Sequence, residues 1–480
     1  MSAARDWIGG LPARYGRRTL IALAVIATLG LAVRAVAVVN PVDNPADDSR
    51  AYYALAKALY EEGSYGGPEF RDSSDWSPGA PLLYAGAFYA TGGAREGTAR
   101  IVEALLGVAA ILVVFALGRR LGLAVRTPRA SGGRRDDPDF ASVVGLLAAF
   151  AVAVYPPFIH STGELMSEPP AIFTLPAAVL GWLWASERER AWAWLLPGLL
   201  FGLTAMFRPE YLLVGVAFAA LAIPRPRSQL RTDTGEDSER SAGLWARVLP
   251  ALVVLGGIVV VILPWAVRNQ VVLDRTVPIS TGGGKALYVG TYLPADGEYQ
   301  RVKAILAERY LHRELEPGSA ALDAVDPTPL FDRVAAQYPD LPRDSALGKI
   351  GKENLSDYLS EDPTGYAAMT MRKVGRMWSS GVGEAMSSTL GRVVQILFVG
   401  LGLAGFVLLG LRRRWWELIA LATPIVLVTV VGAASLAAPR RNEVLMTLVF
   451  PLAALALSSA VAAILSGREW SPEQASSPPS

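Results

Sequence analysis

The sequence predicts an all-α polytopic membrane protein with about ten transmembrane helices, and three observations lead there. Of 480 residues, 52% are hydrophobic and only 18% are charged, with a positive mean hydropathy. Apolar windows of about 20 residues recur along the chain, each long enough to cross a bilayer core. Arginine clusters sit at alternate ends of these windows, as the positive-inside bias requires. The composition also excludes other classes. A net charge of +2 is too small for a nucleic-acid binder. The absence of cysteine removes disulfide frameworks, thiolate catalysis and Cys-bound zinc, and two histidines, His160 and His312, are too few for a histidine-rich metal site.

The first span, 19–39, is too long for the apolar region of a cleavable signal peptide. Others follow at 100–118, 140–160, 169–186, 191–207, 210–223, 248–267, 391–411, 416–437 and 444–466. The pair around Arg208-Pro209-Glu210 reads as two short spans or one broken helix, because proline removes a backbone donor and clashes with the preceding turn. Arg14, Arg17 and Arg18 precede the first span, and Arg119, Arg120, Arg126, Arg129, Arg134 and Arg135 follow the second. Glu187 to Arg190 follow the fourth, Arg225, Arg227 and Arg231 the sixth, and Arg412 to Arg414 the eighth. With the N-terminus inside, all of these fall on the cytoplasmic face. The chain then divides into an N-terminal transmembrane module, 1–267, whose first external loop is 40–99; an extracytoplasmic helical segment, 268–390; C-terminal transmembrane helices, 391–466; and a Pro/Ser-rich tail, 467–480, that reads as disordered. Residues 128–139 and 224–243 read as flexible cytoplasmic loops.

Chemistry-bearing residues gather at the outer ends. The first external loop holds Asp43-Asn44-Pro45-Ala46-Asp47-Asp48-Ser49-Arg50-Ala51-Tyr52-Tyr53. A carboxylate pair beside water suits a general base or a hard cation; Asp47 or Asp48 equally suits the cap of a helix starting near Ser49. His160-Ser161-Thr162-Gly163-Glu164-Leu165-Met166-Ser167-Glu168 joins the third and fourth spans on the same face. Pro169 and Pro170 suit a first helical turn, so Ser167 or Glu168 is either an ordinary helix-start residue or part of an acidic group facing the first loop. Two acids in so short a turn are costly to bury unpaired, which favours a shared cavity. Arg208, Arg268, Arg372, Lys373, Arg376, Arg440 and Arg441 lie at or near these ends, where guanidinium forks suit a phosphate. Arg34 and Arg392 read instead as side chains snorkelling to headgroups. Trp76 suits either the interfacial aromatic belt or stacking on a sugar ring. Thr281-Gly282-Gly283-Gly284-Lys285 lacks the Gly-Lys-Ser/Thr ending of a nucleotide loop and is rejected as one.

Taken in order, these segments resemble the GT-C membrane glycosyltransferases, of the family-39-like or dolichyl-phosphate-mannose-mannosyltransferase-like branch. Asp48 to Tyr52 is similar to the family's acidic loop, Trp76 to Tyr84 to its Pro-rich segment, and Thr98 to Gly107 to the start of its second span. Met166-Ser167-Glu168, Phe207 to Glu210, Pro264 to Asn269, Glu361 to Tyr366 with Lys373 and Trp378, and Pro439 to Asn442 resemble further signatures. The family often has Asp-Glu where this chain has Asp47-Asp48, which leaves the register between the two open. The resemblance implies a GT-C-like bundle with short helices in its outer loops. It also implies a polyprenyl-phosphate-linked sugar donor, used at the extracytoplasmic face.

On that basis Asp48, Asp47 and Glu168 are the catalytic candidates, and Arg268, Arg440, Arg441 and Arg208 the donor-phosphate ligands. Asp43, Tyr52, Trp76, Glu164 and His160 are candidates for acceptor or sugar binding. Asp48, Glu164 and Glu168 are compatible with a divalent cation (Mg, Mn or Ca) without requiring one. The acceptor is a hydroxyl on a glycan, lipid or protein. Membrane lipids surround the protein and nucleic acid plays no part. The abundance of Ala, Arg and Gly hints at a bacterial plasma membrane as the setting. The rivals are a transporter or flippase of lipid-linked saccharides, which the Arg208-Pro209 break favours, and a non-catalytic lipid-binding protein.

Overall fold

A computed structural model describes residues 16–42, 47–66, 73–125, 138–188, 190–223 and 244–468. Asp43, the Asp47 side chain, most of the two expected cytoplasmic loops and the tail beyond Arg468 lie outside the described residues. The described chain is helical throughout. Helix α1 is Arg17–Val39, α2 Asp47–Glu62, α3 Gly79–Thr91, α4 Glu96–Val125, α5 Pro138–Val154, α6 Pro156–Glu164, α7 Glu168–Ser186, α8 Leu195–Phe207, α9 Tyr211–Leu221 and α10 Leu244–Leu273. An outer segment follows, with α11 Gly283–Thr291, α12 Tyr299–Leu311, α13 Ala320–Asp323, α14 Thr328–Ala335, α15 Arg343–Glu361, α16 Pro363–Ser379 and α17 Glu384–Ser387. Helices α18 Thr389–Leu411, α19 Trp415–Ala434 and α20 Pro439–Arg468 close the chain.

Seven helices (α1, α4, α7, α10, α18, α19 and α20) are long and apolar enough to cross a membrane, and the pair α5–α6, bent by 45°, makes an eighth when taken as one span. The other two expected spans are shorter apolar helices, Ala191–Phe207 and Tyr211–Leu221. The second has 11 residues and reaches only about 16 Å, well short of a bilayer core. Pro209 lies at the break between them.

The bend between α5 and α6 has a clear cause. Val152 and Ala153 would pair with the amides of residues 156 and 157, but both are prolines. Arg34 of α1 supplies the missing donors, with Nη2 on Val152 O at 3.0 Å, Nη1 on Ala153 O at 3.2 Å and Nη1 on Gly30 O at 3.1 Å. Arg34 is therefore fully buried between helices and does not snorkel to headgroups. Gly107 on α4 leaves it room, since a Cβ there would fall on the Arg34 side chain.

α20 packs along α4, α5, α7 and α18, so N- and C-terminal helices share one apolar core. A second core, around Tyr288, Val302, Leu306, Phe331 and Leu347, lies within the outer segment. There the Asp344 carboxylate accepts from Gly284 N (3.1 Å) and Lys285 N (2.9 Å). The glycine-rich stretch thus starts a helix whose N-terminal amides are already held by an acid.

Candidate active site

The site is built where α2, α7, α8, α9 and α20 start or stop. Tyr84 of α3 and Glu103 of α4 prepare it. The fully buried Glu103 carboxylate accepts the Tyr84 hydroxyl and, at 3.0 Å, the amide of Met166. The turn Leu165 to Ser167 is fixed by these contacts, with Leu165 in the left-handed region at φ 55°. α7 then starts at Glu168, whose side chain is 1% exposed.

Two guanidiniums hold that buried carboxylate. Arg208 Nη1 lies 2.5 Å from Glu168 Oε1, and Arg440 presents Nε to Oε1 at 2.8 Å and Nη2 to Oε2 at 3.3 Å. Arg440 turns its Nη1 to Asp48 Oδ2 at 2.9 Å, and Arg208 reaches Glu210 Oε1 through Nη2 at 2.9 Å. A chain Asp48–Arg440–Glu168–Arg208–Glu210 therefore links five helix ends. α2 begins at Asp47, which puts Asp48 inside the first turn with its side chain on Arg440, not in a capping position. Its side chain remains 40% exposed, and Arg440 is 32% exposed. Burial, and then the charges of Asp48 and Glu168, push the Tyr52 phenol far above its ordinary value, so it stays a neutral hydroxyl beside the network.

Arg441 faces the other end of the chain, within electrostatic reach of Glu210, Arg208 and Tyr211. Its Nη1 and the Tyr211 hydroxyl are buried and meet no hydrogen-bond partner among the described residues. Two donors beside the network are thus unspent. Groups of this kind are rare in native interiors unless something else binds them.

Of the residues singled out in the sequence, Asp48, Glu168, Arg208 and Arg440 come together in one network, with Tyr52 and Arg441 beside it. Arg268 lies elsewhere. It donates to Tyr65 O at 2.7 Å and packs over the Tyr65 and Trp265 rings. Trp76 packs against the bundle core, and its carbonyl accepts the Tyr65 hydroxyl at 3.2 Å. His160 and Glu164 face one another on α6 at 3.5 Å. Arg372 and Arg376 bind Asp296, and Lys373 is buried against three carbonyls, Gly290 O at 2.6 Å and Ala433 O and Ser435 O at 2.9 Å. These three cations are structural ties.

Glu103, Tyr84, Glu210 and Tyr211 carried no role in the sequence. Glu443 was also missed. It is 1% exposed and accepts the Ser161 hydroxyl at 2.8 Å, and its position three residues after Arg440, on the same helix face, was the available signal. Among the described residues no three of His, Cys, Asp and Glu gather closely enough to hold a cation, and Asp48 and Glu168 are bridged by a guanidinium.

No family model and no curated protein matches the chain. Solved structures do. The apo oligosaccharyltransferase of Archaeoglobus fulgidus superimposes with a TM-score of 0.53 at 17% identity, over 94% of this chain and 51% of that one. The same enzyme tethered to an acceptor peptide containing the NVT sequon gives 0.50 at 15%, over 95% and 51%. Its complex with Zn and sulfate gives 0.50 at 14%, over 92% and 49%. The chain spans about half the length of the archaeal protein it matches. Its helices are arranged in the fold of that archaeal oligosaccharyltransferase.

Proposed function

We propose that this protein is a glycosyltransferase that moves a sugar from a polyprenyl-phosphate donor to an acceptor hydroxyl at the extracytoplasmic membrane surface. The observation that carries the reading is the solvent-facing Asp48 carboxylate, anchored through Arg440 to a fully enclosed Glu168, within a GT-C-type bundle. In the reaction, the acceptor oxygen bonds to the anomeric carbon as the bond from that carbon to the phosphate oxygen breaks. The acceptor proton passes to Asp48, and the electron pair leaves with the lipid phosphate. One displacement inverts the anomeric centre.

The exposures separate the roles. Asp48 is the base because water, and hence an acceptor, reaches it. Glu168 is enclosed by its two guanidiniums and serves as a positioning residue for Arg440 and Arg208. The leaving phosphate needs a cationic donor that solvent reaches, and Arg440, half-buried beside Asp48, is the one the network offers. Tyr52, beside Asp48, borders the acceptor side.

The test uses membranes containing the protein and a panel of labelled polyprenyl-phosphate sugars. Asp48→Asn is expected to lower transfer about 10²–10⁴-fold with donor binding retained. Transfer at the wild-type rate would show that Asp48 is not the base. A transporter would instead move the labelled lipid across the bilayer without consuming it.

A further inference from the structure

At the opposite end of the bundle lies a cavity of about 470 Å³ between α4, α7 and α8. It is about 24 Å along α7 from Glu168, as 1.5 Å per residue gives for Trp184, and shares no residue with the network above. Its walls are apolar, from Val113, Ala116, Ala177 and Leu200, apart from two guanidiniums, Arg119 and Arg120. Leu123 and Leu196 on its rim are exposed, so it opens onto the side of the bundle that lipid would cover.

The surroundings define the depth. Trp184 lines the cavity, Arg188 lies 3.6 Å over its ring, and Trp192 is exposed nearby. Such an aromatic and arginine girdle marks the level of lipid headgroups. Arg120 is oriented by Glu187 at 2.7 Å and by Glu417 at 3.9 Å, which fixes its guanidinium without removing it from the lining. In the orientation the positive-inside bias gives, the arginine-bearing end of the bundle faces the leaflet in which anionic lipids concentrate. An apolar slot ending in two cations at headgroup depth has the polarity of a lipid carrying negative charge.

We propose that this groove binds an anionic phospholipid, with one acyl chain along Ala116, Ala177 and Leu200 and the headgroup phosphate received by Arg119 and Arg120. The site is separate from sugar transfer and stands whether or not that reading holds.

Native mass spectrometry of the full chain, released from micelles with phosphatidylglycerol or phosphatidylcholine of identical chains, tests this. Wild type is expected to retain the anionic lipid about tenfold more tightly, the difference that one charge-assisted hydrogen bond makes. Arg119→Gln is expected to bring the two lipids closer together. Ala177→Phe, which fills the slot, is expected to remove the retained lipid, and Ala116→Leu does the same from the facing helix should the first variant melt early. Equal retention of both lipids by wild type, or full retention by both filled variants, would overturn the proposal.

Discussion

At the scale of single residues, two acids with similar chemistry hold unequal positions. Glu168 is enclosed between Arg208 and Arg440, whereas Asp48 meets one guanidinium and water. Removing one partner of a buried pair strands the other charge and costs about 3–5 kcal/mol, while a half-exposed pair is worth about 0–1 kcal/mol. Glu168→Ala should therefore melt markedly below wild type in detergent, and Asp48→Asn should melt close to it. If the two variants melted alike, the division into an anchor and a base would fail. Asp48, Glu168, Arg208 and Arg440 were legible in the sequence because each sits at the end of an apolar run, where a charge is conspicuous. Glu103 was not, since a carboxylate inside an apolar helix shows its purpose only when Tyr84 and the Met166 amide are seen to meet it. Arg268 keeps its end position, where it donates to Tyr65 O and lies over the Trp265 ring.

At the scale of elements, hydropathy located every apolar run but not the shapes of three. The 140–160 run is two helices bent by 45°, because Pro156 and Pro157 deprive two carbonyls of their donors and Arg34 replaces them. The runs around Arg208 are short helices that bring Arg208 and Glu210 inward. Leaving a buried carbonyl unsatisfied costs about 1–3 kcal/mol, so Arg34→Leu is expected to lower the melting temperature. Adding Pro157→Ala, which returns an amide to the Ala153 carbonyl, should recover part of that loss. No recovery in the double variant would mean that the missing donors do not make the bend.

At the scale of the whole molecule, the outer segment is tied to the bundle at separate places. Asp75, between α2 and α3, binds Arg343 and accepts the Thr281 hydroxyl at 2.6 Å. Lys373 joins the end of α11 to the end of α19. Within the outer segment, Asp296 binds Arg372 and Arg376, whose hydrogen bonds and charges hold its carboxyl below the ordinary value despite some burial. A carboxyl with a lowered folded value binds fewer protons in the native state than in the unfolded chain. Its contribution is present above its unfolded value and disappears as pH falls through the folded one. Wild type should thus outlast Asp296→Asn in thermal melts near neutral pH, and the gap should close on acidification below pH 4, the ordinary range of an aspartate. A gap constant with pH would rule out this tie. None of these long-range ties left a local mark in the sequence, because periodicity reports only on neighbours within an element.

The Arg34 contact also sets a sequence in time. Its acceptors lie 118 and 119 residues further along the chain. A ribosome adding roughly 5–20 residues per second needs about 6–24 s to deliver them. Over that interval α1 enters the translocon and bilayer with an arginine whose insertion costs on the order of 2.5–3.5 kcal/mol at a helix centre. Arg34 lies five residues from the end of α1, and in the nascent chain it is carried there without those acceptors. Chains released before Val152 is made should insert α1 less completely than their Arg34→Leu counterparts, with the deficit vanishing once α5 and α6 have emerged. Equal insertion at every length would remove this role for the arginine during synthesis.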